Sequence, residues 1–363
     1  MPHNQEEIDE MRLATNSAAA LGALVLFGAG FAGPVTADNL TATSWGGSYS
    51  ESQRKAYYEP FMKATGHTVL EDEWGGDLAK IRAMVETNTY TTHVIDAESP
   101  DVQQGCDEGI LEPIDYDALG FGPDDMAAGA GHECGVGTIS WSTTLVYDKD
   151  QISGAGPANW ADFWNVSKFP GKRALYKGAN PNLEFALFAD GVAASDMYKV
   201  LSTPEGVDRA FAKLSELKPH LIWWESGAQA PQLLADKEVS MTSAWNGRAY
   251  TAIVNDGRNF EIVWDGQVID YDYWIVPAGH PELALAWEFI KFASSPENQG
   301  NQSKYISYGC LRKGCDAYVD PKILPHLPTA PANMKNWLKS STNWWVDNGD
   351  DMSKRYNTWV AKD

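Results

Sequence analysis

Two β-prone runs, Thr138–Tyr147 and Tyr271–Pro277, stand far apart in a chain that otherwise alternates short strand-like and helix-like stretches. The first is rich in Thr, Val, Ile and aromatic side chains, which suit a pleated backbone. Gly154-Ala155-Gly156-Pro157 breaks the chain after it. Before that break, Leu40–Trp45 reads as a strand, Ser50–Thr65 as a helix, His93–Ala97 as a strand and Ser99–Glu108 as a helix. After it, Trp160–Trp164, Gly206–Leu217 and Gln229–Ala235 have a helical period, and Val239–Ala244 reads as a buried strand. Pro281–Ser294 puts Leu285, Phe289 and Phe292 on one helical face. Such alternation implies an α/β fold with a largely parallel sheet. The two β-prone runs read as an outward and a return crossing between two lobes, which makes a hinged inter-domain cleft of the kind that binds small molecules.

The N-terminus sets the compartment. Ala18–Ala32 is apolar and glycine-rich, shorter than the roughly 20 residues needed to span a bilayer. It ends in Val35-Thr36-Ala37, small residues that fit a leader cleavage site. Residues 1–37 are therefore expected to be a signal peptide, cleaved to leave Asp38 first, and the protein to be periplasmic. Glu6, Glu7, Asp9 and Glu10 are unusual at the head of an export signal, which points to Met11 as the biological start. About 326 residues would remain, more than one core usually serves. The expected division is 38–145 plus 276–363 as lobe 1 and 146–275 as lobe 2.

The chain carries 49 acidic and 28 basic residues; without the leader's four acids and Arg12 these become 45 and 27, a net charge of −18. That surface repels nucleic acid and anionic lipid and draws in cations. Four cysteines in an exported chain argue for disulfides, most simply Cys106 with Cys134 and Cys310 with Cys315. No Cys-x-x-Cys or paired histidines favour zinc instead, so neither metal nor cofactor is expected. Enzyme motifs are equally poor. Gly28-Ala29-Gly30-Phe31-Ala32-Gly33 spells a dinucleotide fingerprint but lies inside the leader. His132-Glu133-Cys134 lacks a second histidine, and no nucleophile elbow or phosphate-cradling loop occurs.

Thr43-Ser44-Trp45-Gly46-Gly47-Ser48-Tyr49, Cys106–Asp115, Ala244-Trp245-Asn246-Gly247-Arg248 and Ile269–Pro277 together resemble the type II periplasmic solute-binding proteins of ABC importers, and within them the spermidine/putrescine receptors. The resemblance implies a two-lobed, monomeric receptor that captures a polyamine for an inner-membrane ABC permease. It implies that Trp45 and Tyr49 cover the ligand's aliphatic chain from lobe 1 and that Trp245 walls it from lobe 2. Asp272 stands where the family places a carboxylate for an ammonium group, with Asp270 two residues earlier, and Glu184 resembles the acid that holds the far end of a polyamine. Glu98, just after the first-lobe strand, is a further acceptor. Chemistry supports such a set, since cationic nitrogens separated by methylenes call for carboxylates and aromatic faces. Trp141, Trp160 and Trp164 read as core instead.

One residue departs from the polyamine pattern. Arg248 follows the Trp-x-Gly turn, where polyamine receptors carry a neutral or acidic side chain. Pointing into the cleft, it would select a zwitterion such as a GABA-like ω-amino acid through its bidentate fork. Paired with Asp270 or Glu225, it would be neutralised and leave polyamine binding intact.

Overall fold

The computed structural model describes residues 37–362; the leader, with its glycine fingerprint and Met11, lies outside the described residues. The described strands are β1 (Asn39–Ser44), β2 (Thr68–Glu73), β3 (Val94–Glu98), β4 (Gly131–His132), β5 (Gly135–Asp148), β6 (Arg173–Tyr176), β7 (Leu221–Trp224), β8 (Met241–Trp245), β9 (Phe260–Ile275), β10 (Gly309–Cys310) and β11 (Leu338–Lys339). They form one sheet whose main path is β2-β1-β3-β9-β5-β8-β6-β7. Parallel strands make up each end, β2-β1-β3 on one side and β8-β6-β7 on the other.

The middle of the sheet corrects the expectation of a largely parallel arrangement. There β5 and β9 pair antiparallel from Val136 opposite Trp274 to Asp148 opposite Phe260. Opposite senses are what an outward and a return crossing must have. The return strand also begins 11 residues earlier than its apolar pattern suggests, because its first half contains Glu261, Asp265, Gly266 and Gln267. Residues 264–267 bulge out between the Leu145–Val263 and Thr143–Val268 pairs, and Gly266, at φ 73°, supplies the left-handed backbone that this requires.

Separate apolar cores cover the two ends. On the first, Leu40, Tyr57, Phe61, Val94, Trp274 and Phe289 pack together, Trp274 meeting Phe289 edge-on at 5.3 Å. On the second, Trp160 stacks on Phe185 at 3.7 Å among Phe163, Leu214 and Met241. Both long strands feed both cores: Val136 and Trp274 go to the first, Leu145 and Val268 to the second. The cleft therefore opens where these two strands pass from one core to the other.

The C-terminal helix Thr342–Ala361 differs from the expected division. While the helix also runs against the helix Ser99–Asp107 of the first side, its Trp344, Trp345 and Tyr356 are buried in the second core. The cause is a large aromatic face that finds Phe211 and Trp223 there. Helix Leu283–Ala293, by contrast, packs in the first core as its periodicity implies. Both cysteine pairs are bonded as neighbours in sequence, Cys106 to Cys134 and Cys310 to Cys315, with Cα atoms 5.7 and 6.3 Å apart.

Candidate ligand-binding cleft

The cleft is built from the C-terminal ends of short strands and the turns that follow them. After β1, Gly46 and Gly47 both take positive φ, 68° and 55°. This turns the chain sharply into the helix Gly47–Gln53, so that Trp45 and Tyr49 face the same space. After β8, Trp245 precedes the helix Asn246–Val254, which carries Arg248. Gly247 allows that helix to lie against Tyr308, since a Cβ there would come within 2.6 Å of the ring. On the facing strands, pairing of β3 with β9 sets Glu98 opposite Asp272.

Trp45, Tyr49, Glu98, Trp245, Arg248 and Asp272 all line one small cavity of about 20 Å³ between the lobes. Asp270 lines the wider chamber that continues outward from it past Trp45, Glu98, Trp141 and Trp245. Glu184 is the candidate that the structure places elsewhere. It is fully buried in the second core, where one oxygen accepts from Tyr198 at 3.0 Å and Trp345 at 2.9 Å. Its neighbour Trp345 reaches the outer chamber, but Glu184 does not. Trp160 and Trp164 are core, as read from sequence.

Trp141 is not. It lines both the cavity and the chamber and donates its indole N–H to Asp272 at 2.6 Å. Cross-strand register carries this signal, since Trp141 pairs opposite Asp270 and so shares a face with the carboxylates of β9. Tyr308 is a second missed wall residue, and it lies in a segment with no strand or helix pattern of its own. Asp96 is the third. It is fully buried and accepts from Trp45 at 3.0 Å, from Tyr49 at 2.9 Å and from Gln53 at 2.9 Å. Apolar neighbours hide it within β3, and only its position two residues before Glu98 places it on the cleft face.

Arg248 pairs with neither of the carboxylates that the sequence offered it. Asp270 is engaged by Lys339 at 3.0 Å and by Ser99 at 2.6 Å, and Glu225 by Lys177 at 2.8 Å. Arg248 donates instead to Ser48 Oγ at 3.0 Å and to the carbonyls of Trp45 and Gly46 at 3.3 and 2.8 Å. Its Nε–H has no acceptor. Among the described residues no carboxylate forms an ion pair with it, although only 4 % of the residue is exposed. Burial lowers its pKa, opposed by Tyr308, Tyr49, Glu73 and Asp272 nearby.

Opposite it the carboxyls are pushed the other way. Burial raises the pKa of Glu98 well above the usual range, with Asp101, Asp270 and Asp96 adding to the effect. Asp272 is likewise raised, by burial first and then by Asp96 and Glu98. Basic and acidic side chains thus face one small cavity whose remaining walls are Ile139 and aromatic rings.

A two-lobed α/β fold with such a cleft defines a class, and the chain belongs to it: residues 56–329 match the bacterial extracellular solute-binding protein family. It is a solute-binding protein of an ABC importer, acting outside the cytoplasm, and not an enzyme. The chain is 46% identical over 341 residues to a gamma-aminobutyric acid-binding protein of Pseudomonas aeruginosa, covering 93% of this chain and 96% of that one. It is also similar to the solved Atu4243-GABA receptor, at 34% identity and TM-score 0.79, covering 90% of this chain and 98% of the other. The MotA binding protein of Agrobacterium tumefaciens in complex with glucopine is 32% identical with TM-score 0.83, covering 89% and 99%.

Proposed function

We propose that this protein captures a short ω-amino acid of the 4-aminobutyrate kind in the periplasm and delivers it to an ABC permease. The carrying observation is that Arg248 lines the same cavity as Asp272 and Glu98, yet has no carboxylate partner. A ligand carboxylate supplies that partner, while its ammonium lies against Asp272 and Glu98 at the opposite end. Trp45, Trp141, Trp245 and Tyr49 flank the methylenes between. The polyamine expectation fares worse, because a diamine would bring two cations into a cavity that already holds a guanidinium. The names of the two GABA-binding relatives support the zwitterion as well.

On this reading the leader ends at Ala37 and the receptor acts as a monomer; β1 starting at Asn39 suits a mature start at Asp38. Lobe 1 is then residues 38–145 with the stretch from 276 through helix Leu283–Ala293, and lobe 2 is 146–275 joined by the C-terminal helix. Calorimetry of the purified protein with 4-aminobutyrate, putrescine, spermidine and simple organic acids tests the ligand class. Binding of the ω-amino acid alone is the expected result, and tight binding of putrescine alone would reverse it.

A further inference from the structure

Asp96 lies one layer below the cavity and touches no part of it, yet it is the most heavily hydrogen-bonded carboxyl in this region. Trp45, Tyr49 and Gln53 donate to it, Thr138 approaches at 3.4 Å, and Asp272 lies diagonally across from it on the facing strand, where Trp274 pairs with Asp96 and Asp272 with Glu98. Asp272 receives only the Trp141 N–H. Two neighbouring buried carboxyls cannot both be charged at modest cost, so the pair retains a proton. The donors decide which one keeps it. Asp96, with four donors, is the better carboxylate, and Asp272 is left to hold the proton and donate it.

The groups facing the pair do not cancel this. Glu98 on β3, its own carboxyl pushed up by burial, can only favour the protonated form of Asp272, and Tyr49, Tyr57, Tyr58 and Tyr308 stay neutral. Arg248 is the cation near Asp272, with its bonds directed to backbone carbonyls and Ser48.

We propose that the Asp96–Asp272 pair carries one shared proton until the ligand ammonium docks against Asp272, and then releases it to solvent, so that amine capture is a charge-conserving exchange of one cation for another. Asp96 is then a positioning residue: it holds the indole of Trp45 and the phenol of Tyr49 in place and keeps the Asp272 proton poised. The O–H bond of Asp272 breaks, its electrons stay on the carboxylate, and the ammonium keeps all three of its protons. Burial agrees with this, raising Asp96 to about 6 and Asp272 further.

The inference rests on the ω-amino acid reading, and calorimetry separates the two. Titrating 4-aminobutyrate at neutral pH in buffers of small and large ionisation heat should reveal about one proton released per ligand bound. Asp272→Asn should bind more weakly and release none. Binding heat that does not depend on the buffer overturns the exchange and leaves the ligand assignment standing. No heat with any ω-amino acid removes both. Release that persists in Asp272→Asn but vanishes in Glu98→Gln moves the proton to Glu98 and overturns the pair. Infrared difference spectra of the wild type give an independent reading, because a protonated-carboxyl band should disappear on ligand addition.

Discussion

Trp141 Nε1 donates to Asp272 Oδ1 at 2.6 Å, a bond between the outward and the return crossing strands at the point where the lobes separate. On the proposed reading it aims the carboxyl that meets the ligand ammonium and fixes an aromatic wall in one step. Trp141→Phe keeps the apolar face and removes the donor. A hydrogen bond to a charged group is worth roughly 1.5–3 kcal/mol, so affinity for 4-aminobutyrate should fall at least about tenfold. Unchanged affinity in calorimetry would mean that Asp272 needs no such orientation.

The disulfides act on the unfolded chain rather than on the site. Cys106–Cys134 closes a span of 28 residues and Cys310–Cys315 one of 5. Loop entropy then gives roughly 3 to 4 kcal/mol for the first and roughly 2 for the second. Denaturant melts of Cys106→Ser/Cys134→Ser and Cys310→Ser/Cys315→Ser should show losses in that order, with ligand affinity retained by the folded fraction. A larger loss from the shorter loop would contradict the entropic account.

Legibility from sequence follows how local each signal is. The helix Gln229–Ala235 and the strand at Thr138–Tyr147 were readable because period and composition sit within the element itself. The first half of β9 was not, since a polar, glycine-containing bulge leaves no period to count. In the cleft, Trp45, Trp245, Arg248 and Asp272 follow or lie on strands whose family pattern is recognisable, and the cavity gathers them. Asp96 and Trp141 needed cross-strand register, which only the pairing of β3, β9 and β5 provides. Glu184 misled for the opposite reason: an acid at a helix start looks solvated or ligand-facing, and nothing local shows that Trp345, 161 residues away, buries it.

That burial has a measurable consequence. Burial raises the Glu184 pKa to about 7, against about 4.3 for an unfolded chain, although Trp345 and Tyr198 stabilise its carboxylate. The folded state therefore binds more protons than the unfolded state between these values, and stability falls as pH rises from about 4 to about 7. The loss from this one group is of order 3 kcal/mol and is complete above that window. Glu184→Gln carries no such proton, so its melting temperature should decline less across the same range while 4-aminobutyrate affinity stays unchanged. An identical decline in both proteins would assign the proton elsewhere.

Arg248 is the most informative residue to change, because on the proposed reading it both meets the ligand carboxylate and joins the two lobes. It projects from the second lobe and binds the Trp45 and Gly46 carbonyls and Ser48 of the first, so it joins the lobes even as it faces the cavity. Truncating one partner of a buried charged contact costs about 2–5 kcal/mol, more than tenfold in affinity. Arg248→Ser should weaken 4-aminobutyrate by that much and leave putrescine unaffected or improved. Arg248→Lys keeps the charge and loses the planar fork, so its affinity should fall between wild type and Arg248→Ser. Asp272→Asn provides the contrast, since both ligands present an ammonium and both should weaken. Small-angle scattering adds the second readout: without the arginine, the mean radius of gyration should increase as the lobes spend more time apart. If Arg248→Ser lowers neither affinity, the guanidinium does not read the ligand carboxylate and the preference for an ω-amino acid loses its basis.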